Sequence, residues 1–84
     1  MPIISQFYGI IIRMYFQQAE HNPPHIHAVY SGNIAEIDIR NGRILEGELP
    51  EKALALVREW LKLHKKELLE IWDTQKFIKI KPLE

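Results

Sequence analysis

The hydrophobic pattern of this chain changes its period at Pro50, and this change constrains the fold more than any other feature of the sequence. Before Pro50, apolar and polar residues alternate in short segments separated by turn residues, which is typical of strands. After Pro50, apolar residues recur at spacings of three and four, which is typical of an amphipathic helix. Strands followed by helix predict an α+β domain, with a small antiparallel sheet of three to four strands packed on a C-terminal helical layer.

The strand predictions follow the alternation and the turn residues between segments. Ser31-Gly32 and Asn41-Gly42 lie between consecutive segments, and Asn-Gly is typical of a two-residue hairpin loop. Residues 77–83 also alternate, and we expect either an edge strand or a partner-binding tail there. The expected strands cover residues 10–17, 26–30, 34–39 and 44–46, with a short additional one over 3–8.

The helical segment is longer than a domain of this size accommodates as one straight rod. Proline is tolerated in the first helical turn, so Pro50 marks the start of the segment. Unbroken to Trp72, the helix would measure about 34 Å at a rise of about 1.5 Å per residue. We therefore expect a bend or break near His64, which gives either one bent helix or two helices.

Length and composition limit the class of protein further. A chain of 84 residues predicts a single domain over residues 1–84. The absence of cysteine excludes disulfides, thiolate metal sites and cysteine nucleophiles, and makes the cytoplasm the default location. No apolar run approaches the roughly 20 residues that a membrane helix needs, so we expect no membrane association. The formal net charge of zero argues against nucleic-acid binding through a large basic surface, although it allows a local basic patch.

The register of the second hairpin decides where the chemistry-bearing residues lie. A two-residue loop at 31–32 would place His25 opposite Asp38 and His27 opposite Glu36 on neighbouring strands. Alternation along the strands would put these four side chains on the open face of the sheet, away from the helices. We therefore expect a histidine–carboxylate site on that face.

Acid–base catalysis is the leading hypothesis for this site, and it needs no cofactor. His25 would act as general acid–base on a phosphodiester, with His27 assisting and with Asp38 and Glu36 orienting the rings. An arginine beside the site would hold a phosphate. The residues expected to bind substrate are Arg13, Tyr15 and Arg43.

Two other interpretations of the same residues stay open. His21, His25 and His27 lie within seven residues, and imidazole nitrogens with nearby carboxylates suit zinc or manganese. A non-enzymatic metal-binding or protein-binding module is therefore the alternative function. The cross-strand histidine–carboxylate pairs could also simply stabilise a solvated sheet face.

Four segments of the sequence together resemble one bacterial protein family: FYGIIIRMYF, EHNPPHIHAVY, AEIDIRNGRILEGELP and ALVREWLKLHKKELLEIW. The chain is identified by them as a member of domain-of-unknown-function family 4160, with the His-Asn-Pro-Pro-His-x-His segment at residues 21–27. Members of that family are often encoded beside a small protein of family 2442, in an arrangement that resembles toxin–antitoxin pairs. The resemblance implies a co-encoded protein partner and one half of a two-protein module, and it leaves homo-oligomerisation open.

The order of elements is also similar to that of HicA-type messenger-RNA interferases. These small sheet-and-helix domains place a catalytic histidine on a strand after a short turn. His25 here follows Pro24 in the same way, with Pro23-Pro24 in place of that family's glycine-serine pair. This likeness implies that the phosphodiester is that of RNA, so we expect the protein to be a metal-independent ribonuclease.

Overall fold

The computed structural model describes residues 2–15 and 23–84, and these residues form five strands and one helix. The α+β class predicted from the change of hydrophobic period is confirmed. The strands are β1 (Ile3–Phe7), β2 (Ile10–Arg13), β3 (His25–Tyr30), β4 (Asn33–Asp38) and β5 (Ile44–Gly47), and they are followed by α1 (Glu51–Thr74).

The strands of the described residues form one antiparallel sheet in the order β1-β2-β3-β4-β5, so each strand pairs with its neighbours in sequence. The prediction of three to four strands was wrong, because β1 is a full member of the sheet. A two-residue turn at Tyr8-Gly9 joins it to β2, with Phe7 opposite Ile10. β2 ends at Arg13, short of the predicted end at residue 17, which lies outside the described residues.

The β3–β4 hairpin has the two-residue loop that the sequence predicts. Ser31 and Gly32 both have positive φ, at 46° and 85°. The predicted register is confirmed over all six residue pairs, from His25 opposite Asp38 to Tyr30 opposite Asn33. The side chains of this hairpin that face the core are fully buried, and they belong to Ile26, Ala28, Ala35 and Ile37.

The connection between β4 and β5 is longer than the two-residue loop predicted at Asn41-Gly42. Asp38 donates its N–H to the carbonyl of Arg43 at 2.8 Å, and its own carbonyl accepts the N–H of Gly42 at 2.8 Å. These bonds close a turn over residues 39–43. The chain reverses direction there while Ile39 stays buried in the core. A bulge between Glu36 and Ile37 then shifts the register of β5.

α1 packs on the sheet and bends where the sequence predicts. His64 has non-helical dihedral angles (φ −120°, ψ 16°), so the helical layer is one bent helix. Trp60 is the largest fully buried side chain, and its ring lies 5.5 Å from that of Phe7. In the part of the chain that is described, no helix combines the length and the apolar character needed to cross a bilayer.

The segment after α1, residues 75–84, has no regular secondary structure. Two hydrogen bonds anchor it: Ile80 donates its N–H to the Ile4 carbonyl at 2.8 Å, and the Lys81 carbonyl accepts the Trp60 indole N–H at 2.9 Å. Because no strand forms over residues 77–83, the edge-strand alternative for this segment was wrong. The segment lies as an irregular tail along β1, with Ile80 buried.

Candidate functional site

The cross-strand register brings three of the four predicted catalytic residues together. His27 lies opposite Glu36 and His25 lies opposite Asp38, as predicted. The structure also forms a diagonal contact, because Glu36 Oε1 lies 3.4 Å from His25 Nε2. Diagonal neighbours on a twisted hairpin are within reach of long side chains. The centre of the site is therefore formed by His25, His27 and Glu36.

Asp38 has a different partner from the histidine ring that the sequence predicts. Its Oδ1 accepts hydrogen bonds from the backbone N–H and Nε of Arg40, at 2.8 and 3.2 Å, and its Oδ2 accepts one from Nη2 at 3.0 Å. The chain turns back after β4, so the guanidinium group meets the carboxylate in its preferred forked geometry. Burial alone would raise the pKa of Asp38, but the hydrogen bonds and charge of Arg40 outweigh it and lower this pKa. Asp38 thus fixes the turn.

His25 is buried, which corrects the expectation that it lies on an open face. Its side chain is only 4% exposed, and that of Asp38 is 4% exposed as well. The reason is that Trp72, near the end of α1, packs against the His25 ring with centroids 5.2 Å apart. His27 and Glu36 are half-buried, so only this part of the cluster is accessible.

The hydrogen bonding of His25 fixes its tautomer. Nδ1 lies 2.8 Å from the Pro23 carbonyl oxygen. A carbonyl can only accept, so Nδ1 carries a hydrogen. In the neutral ring the lone pair is then on Nε2, which faces Glu36 and is shielded from solvent. This arrangement resembles metal-binding histidines, which donate their second nitrogen to a carbonyl or carboxylate.

The donor atoms of His25, His27 and Glu36 all lie within 4.8 Å of one another. Two imidazole nitrogens and one carboxylate oxygen suit zinc, manganese or iron. The sequence prediction named His21 as the third ligand, and His21 lies outside the described residues. Among the described residues the third donor is Glu36, which directly faces His27 across the hairpin.

Glu46 on β5 is a residue of the site that the sequence analysis missed. It lies directly opposite Glu36 on the neighbouring strand, so the two carboxyl groups interact. Burial raises the pKa of Glu36 most, and the interaction with Glu46 raises it further, while His25 and His27 act in the opposite direction. The hairpin predicted after β4 was the sequence feature that could have indicated Glu46. The two-residue loop predicted there, however, would not have placed Glu46 opposite Glu36.

Two of the three predicted substrate-binding residues lie beside His27. Arg13 on β2 is directly opposite His27, and the Tyr15 ring meets the His27 ring edge-on with centroids 4.2 Å apart. Arg13 Nε is shielded from solvent and has no hydrogen-bond partner among residues 2–15 and 23–84. Arg43 is exposed in the turn after β4, and no contact joins it to the cluster within the described part of the chain.

These features define a class of small α+β domain, in which an antiparallel meander carries a partly buried cluster of two histidines and one carboxylate. The family described as domain of unknown function DUF4160 matches residues 9–73, and the chain belongs to this family. No curated protein and no solved structure matches the chain.

Proposed function

We propose that this domain binds one divalent transition-metal ion through His25, His27 and Glu36. The observation that carries the proposal is the contact between His25 Nε2 and Glu36 Oε1 at 3.4 Å, with Nδ1 committed to the Pro23 carbonyl. A lone pair and a carboxylate oxygen repel each other at this distance unless a positive charge lies between them. A proton supplies such a charge for one pair, but a metal ion also uses the His27 donor that lies within reach.

The surroundings of the cluster support a phosphodiester as the substrate. A metal ion held there would act as a Lewis acid on a phosphoryl oxygen. Arg13 lies across from His27 and is half-buried, and a guanidinium group in this position suits a phosphate oxygen. We propose RNA as this substrate. We also propose that the protein is one half of a cytoplasmic toxin–antitoxin-like module, with a co-encoded partner of the family 2442 type.

Metal-free acid–base catalysis is the second candidate, and the accessibility of His27 favours a modified form of it. His25 Nε2 is shielded from solvent, so an RNA hydroxyl does not reach it in this arrangement. His27 is half-buried and has Arg13 and Tyr15 on its borders. In this second candidate mechanism His27 is the general base, and His25 and Glu36 orient its ring and contribute to the charge of the site.

Calorimetric titration of ZnCl₂ and MnCl₂ into EDTA-treated, desalted protein tests the metal site. We expect one ion per chain. We expect Glu36→Gln to weaken metal binding by about tenfold to hundredfold, because a ligand loses its charge. Glu48→Gln is the matched control, since Glu48 is exposed and lies outside the cluster. No binding to the wild-type protein, or equal weakening by both variants, would refute the metal site.

RNA cleavage with and without EDTA separates the two candidates. Cleavage that EDTA abolishes and added Mn²⁺ restores supports the metal mechanism. Cleavage that resists EDTA and disappears in His27→Ala supports the metal-free mechanism. If the purified protein cleaves no RNA under either condition, the RNA substrate is wrong, whatever the metal titration shows.

A further inference from the structure

A cleft separate from the histidine cluster lies between the turn after β4 and the outer face of α1. Its volume is about 490 Å³, which is in the size range of small-ligand sites. Ile39 and Leu61 form part of its wall. The polar residues that line it are Asn41, Arg58, Glu59, Lys62 and Lys65, together with Arg40 at the rim.

The charge of this cleft is positive, although the chain as a whole has a net charge of zero. Arg58, Lys62 and Lys65 face a single acidic residue of the lining, Glu59. Lys62 and Lys65 make no ion pair with any residue of the described ranges 2–15 and 23–84. A cleft lined mainly by one sign of charge concentrates the field on an incoming ion of the opposite sign.

Three cations of the cleft lie on α1, and one of them is fixed to the turn after β4. Arg58 donates its Nε–H to the Gly42 carbonyl at 2.9 Å, so its guanidinium group is held against the turn after β4. Lys62 follows Arg58 by four residues and so lies on the same side of the helix, and Lys65 lines the same cleft beyond the bend at His64. The rim residue Arg40 is already neutralised by Asp38.

We propose that this cleft binds a phosphate-bearing ligand of nucleotide size, either a free nucleotide or a nucleotide within an RNA strand. A held arginine with two exposed lysines suits phosphate, because the guanidinium group makes paired hydrogen bonds and lysine adds point charges. The aliphatic stems of these residues and the apolar wall offer a surface for the rest of the nucleotide. The inference does not depend on the metal site, since none of the residues is shared with it.

Binding of two probes tests the proposal: a fluorescein-labelled uridine decamer by anisotropy, and uridine monophosphate by calorimetry. EDTA is present in both, so metal binding and metal-dependent cleavage do not contribute, and gel electrophoresis of the decamer after each titration checks that it stays intact. We expect Lys62→Glu with Lys65→Glu to weaken binding by about tenfold or more, and added salt to weaken wild-type binding. The matched control is Lys52→Glu with Lys66→Glu, because these lysines are exposed on the same helix but do not line the cleft.

The outcomes separate the sources of the ligand from a general charge effect. Binding of both probes, reduced only by the cleft variant, supports a nucleotide site. Binding of the decamer alone, again reduced only by the cleft variant, supports a site for a strand. Equal losses in the two charge-matched variants, or no binding of either probe by the wild-type protein, would overturn the proposal.

Discussion

Gly47 and Gly32 offer a test of how closely β5 is packed against β4. Both glycines have left-handed backbone angles, with φ of 80° and 85° respectively. A Cβ atom on Gly47 would overlap the carbonyl oxygen of Ile34 on β4, whereas a Cβ atom on Gly32 meets nothing within 4 Å. Substitution by alanine therefore imposes the same kind of backbone strain at both positions, and a collision at only one.

The expected destabilisation follows from these two differences. The left-handed conformation costs alanine about 1 to 2 kcal/mol, and the smaller entropy of the unfolded alanine chain offsets about 0.4 to 1 kcal/mol. Gly32→Ala should therefore lose about 1 kcal/mol. Gly47→Ala should lose about 3 to 4 kcal/mol, because the overlap is relieved only by moving β5 away from β4 and weakening the hydrogen bonds there, each of which contributes about 1 kcal/mol.

Thermal unfolding followed by circular dichroism measures both variants against the wild-type protein. At about 4 to 8 °C per kcal/mol for a domain of this size, Gly32→Ala should lower Tm by about 5 °C and Gly47→Ala by about 15 °C or more. If the Gly47→Ala protein does not fold while the Gly32→Ala protein does, this outcome also supports the close packing of β5 against β4. Equal losses in Tm would refute the close packing of β5.

Three further predictions concern other contacts. Asp38→Asn should cost about 2 kcal/mol at pH 7, because it removes the charge that accepts the Arg40 hydrogen bonds. The pKa of Asp38 is lowered in the folded protein, so this stabilisation is complete above its unfolded value of about 3.9 and is lost as pH falls through the folded value. Urea unfolding at a series of pH values should show variant and wild type converging in acid, with exposed Asp73→Asn as control; an unchanged difference would contradict the assignment. Trp60→Phe removes the indole N–H that holds the Lys81 carbonyl, so limited proteolysis should cut residues 75–84 faster than in the wild-type protein; an unchanged rate would show that the bond does not anchor the tail. Arg13→Gln should reduce RNA cleavage by at least about tenfold while zinc binding stays intact, because it removes the cation that would hold phosphate; a parallel loss of zinc binding would assign Arg13 to the metal site instead.

The sequence predicts those parts of the fold that depend on local periodicity and short loops. The register of β3 against β4 follows from a two-residue loop at Ser31-Gly32, and the structure has this register. The bend near His64 follows from the length of the helical pattern, because a straight helix would extend beyond the sheet that it covers. Both predictions use only neighbouring residues and the size of the domain.

The parts that the sequence does not predict depend on contacts between distant segments. His25 is buried because Trp72 reaches it from the far end of a bent helix, and the strand pattern contains no information about that contact. Glu46 lies opposite Glu36 only because the turn over 39–43 and a bulge shift β5. The choice between Asp38 and Glu36 as the partner of His25 likewise depends on the position of Arg40 after the turn.

The strand order has a consequence for the folding kinetics of the domain. Each strand pairs with its sequence neighbours, so most sheet contacts are local, and a topology of this kind favours rapid folding for a β-rich protein. The hydrogen bond between Ile80 and Ile4 is the opposite case, because it joins residues 76 positions apart. Closing so long a loop has a large entropic cost that is recovered only after β1 and α1 are in place. Residues 75–84 should therefore be the last segment to gain protection from amide hydrogen exchange during refolding, and the first to lose it when the native protein opens locally.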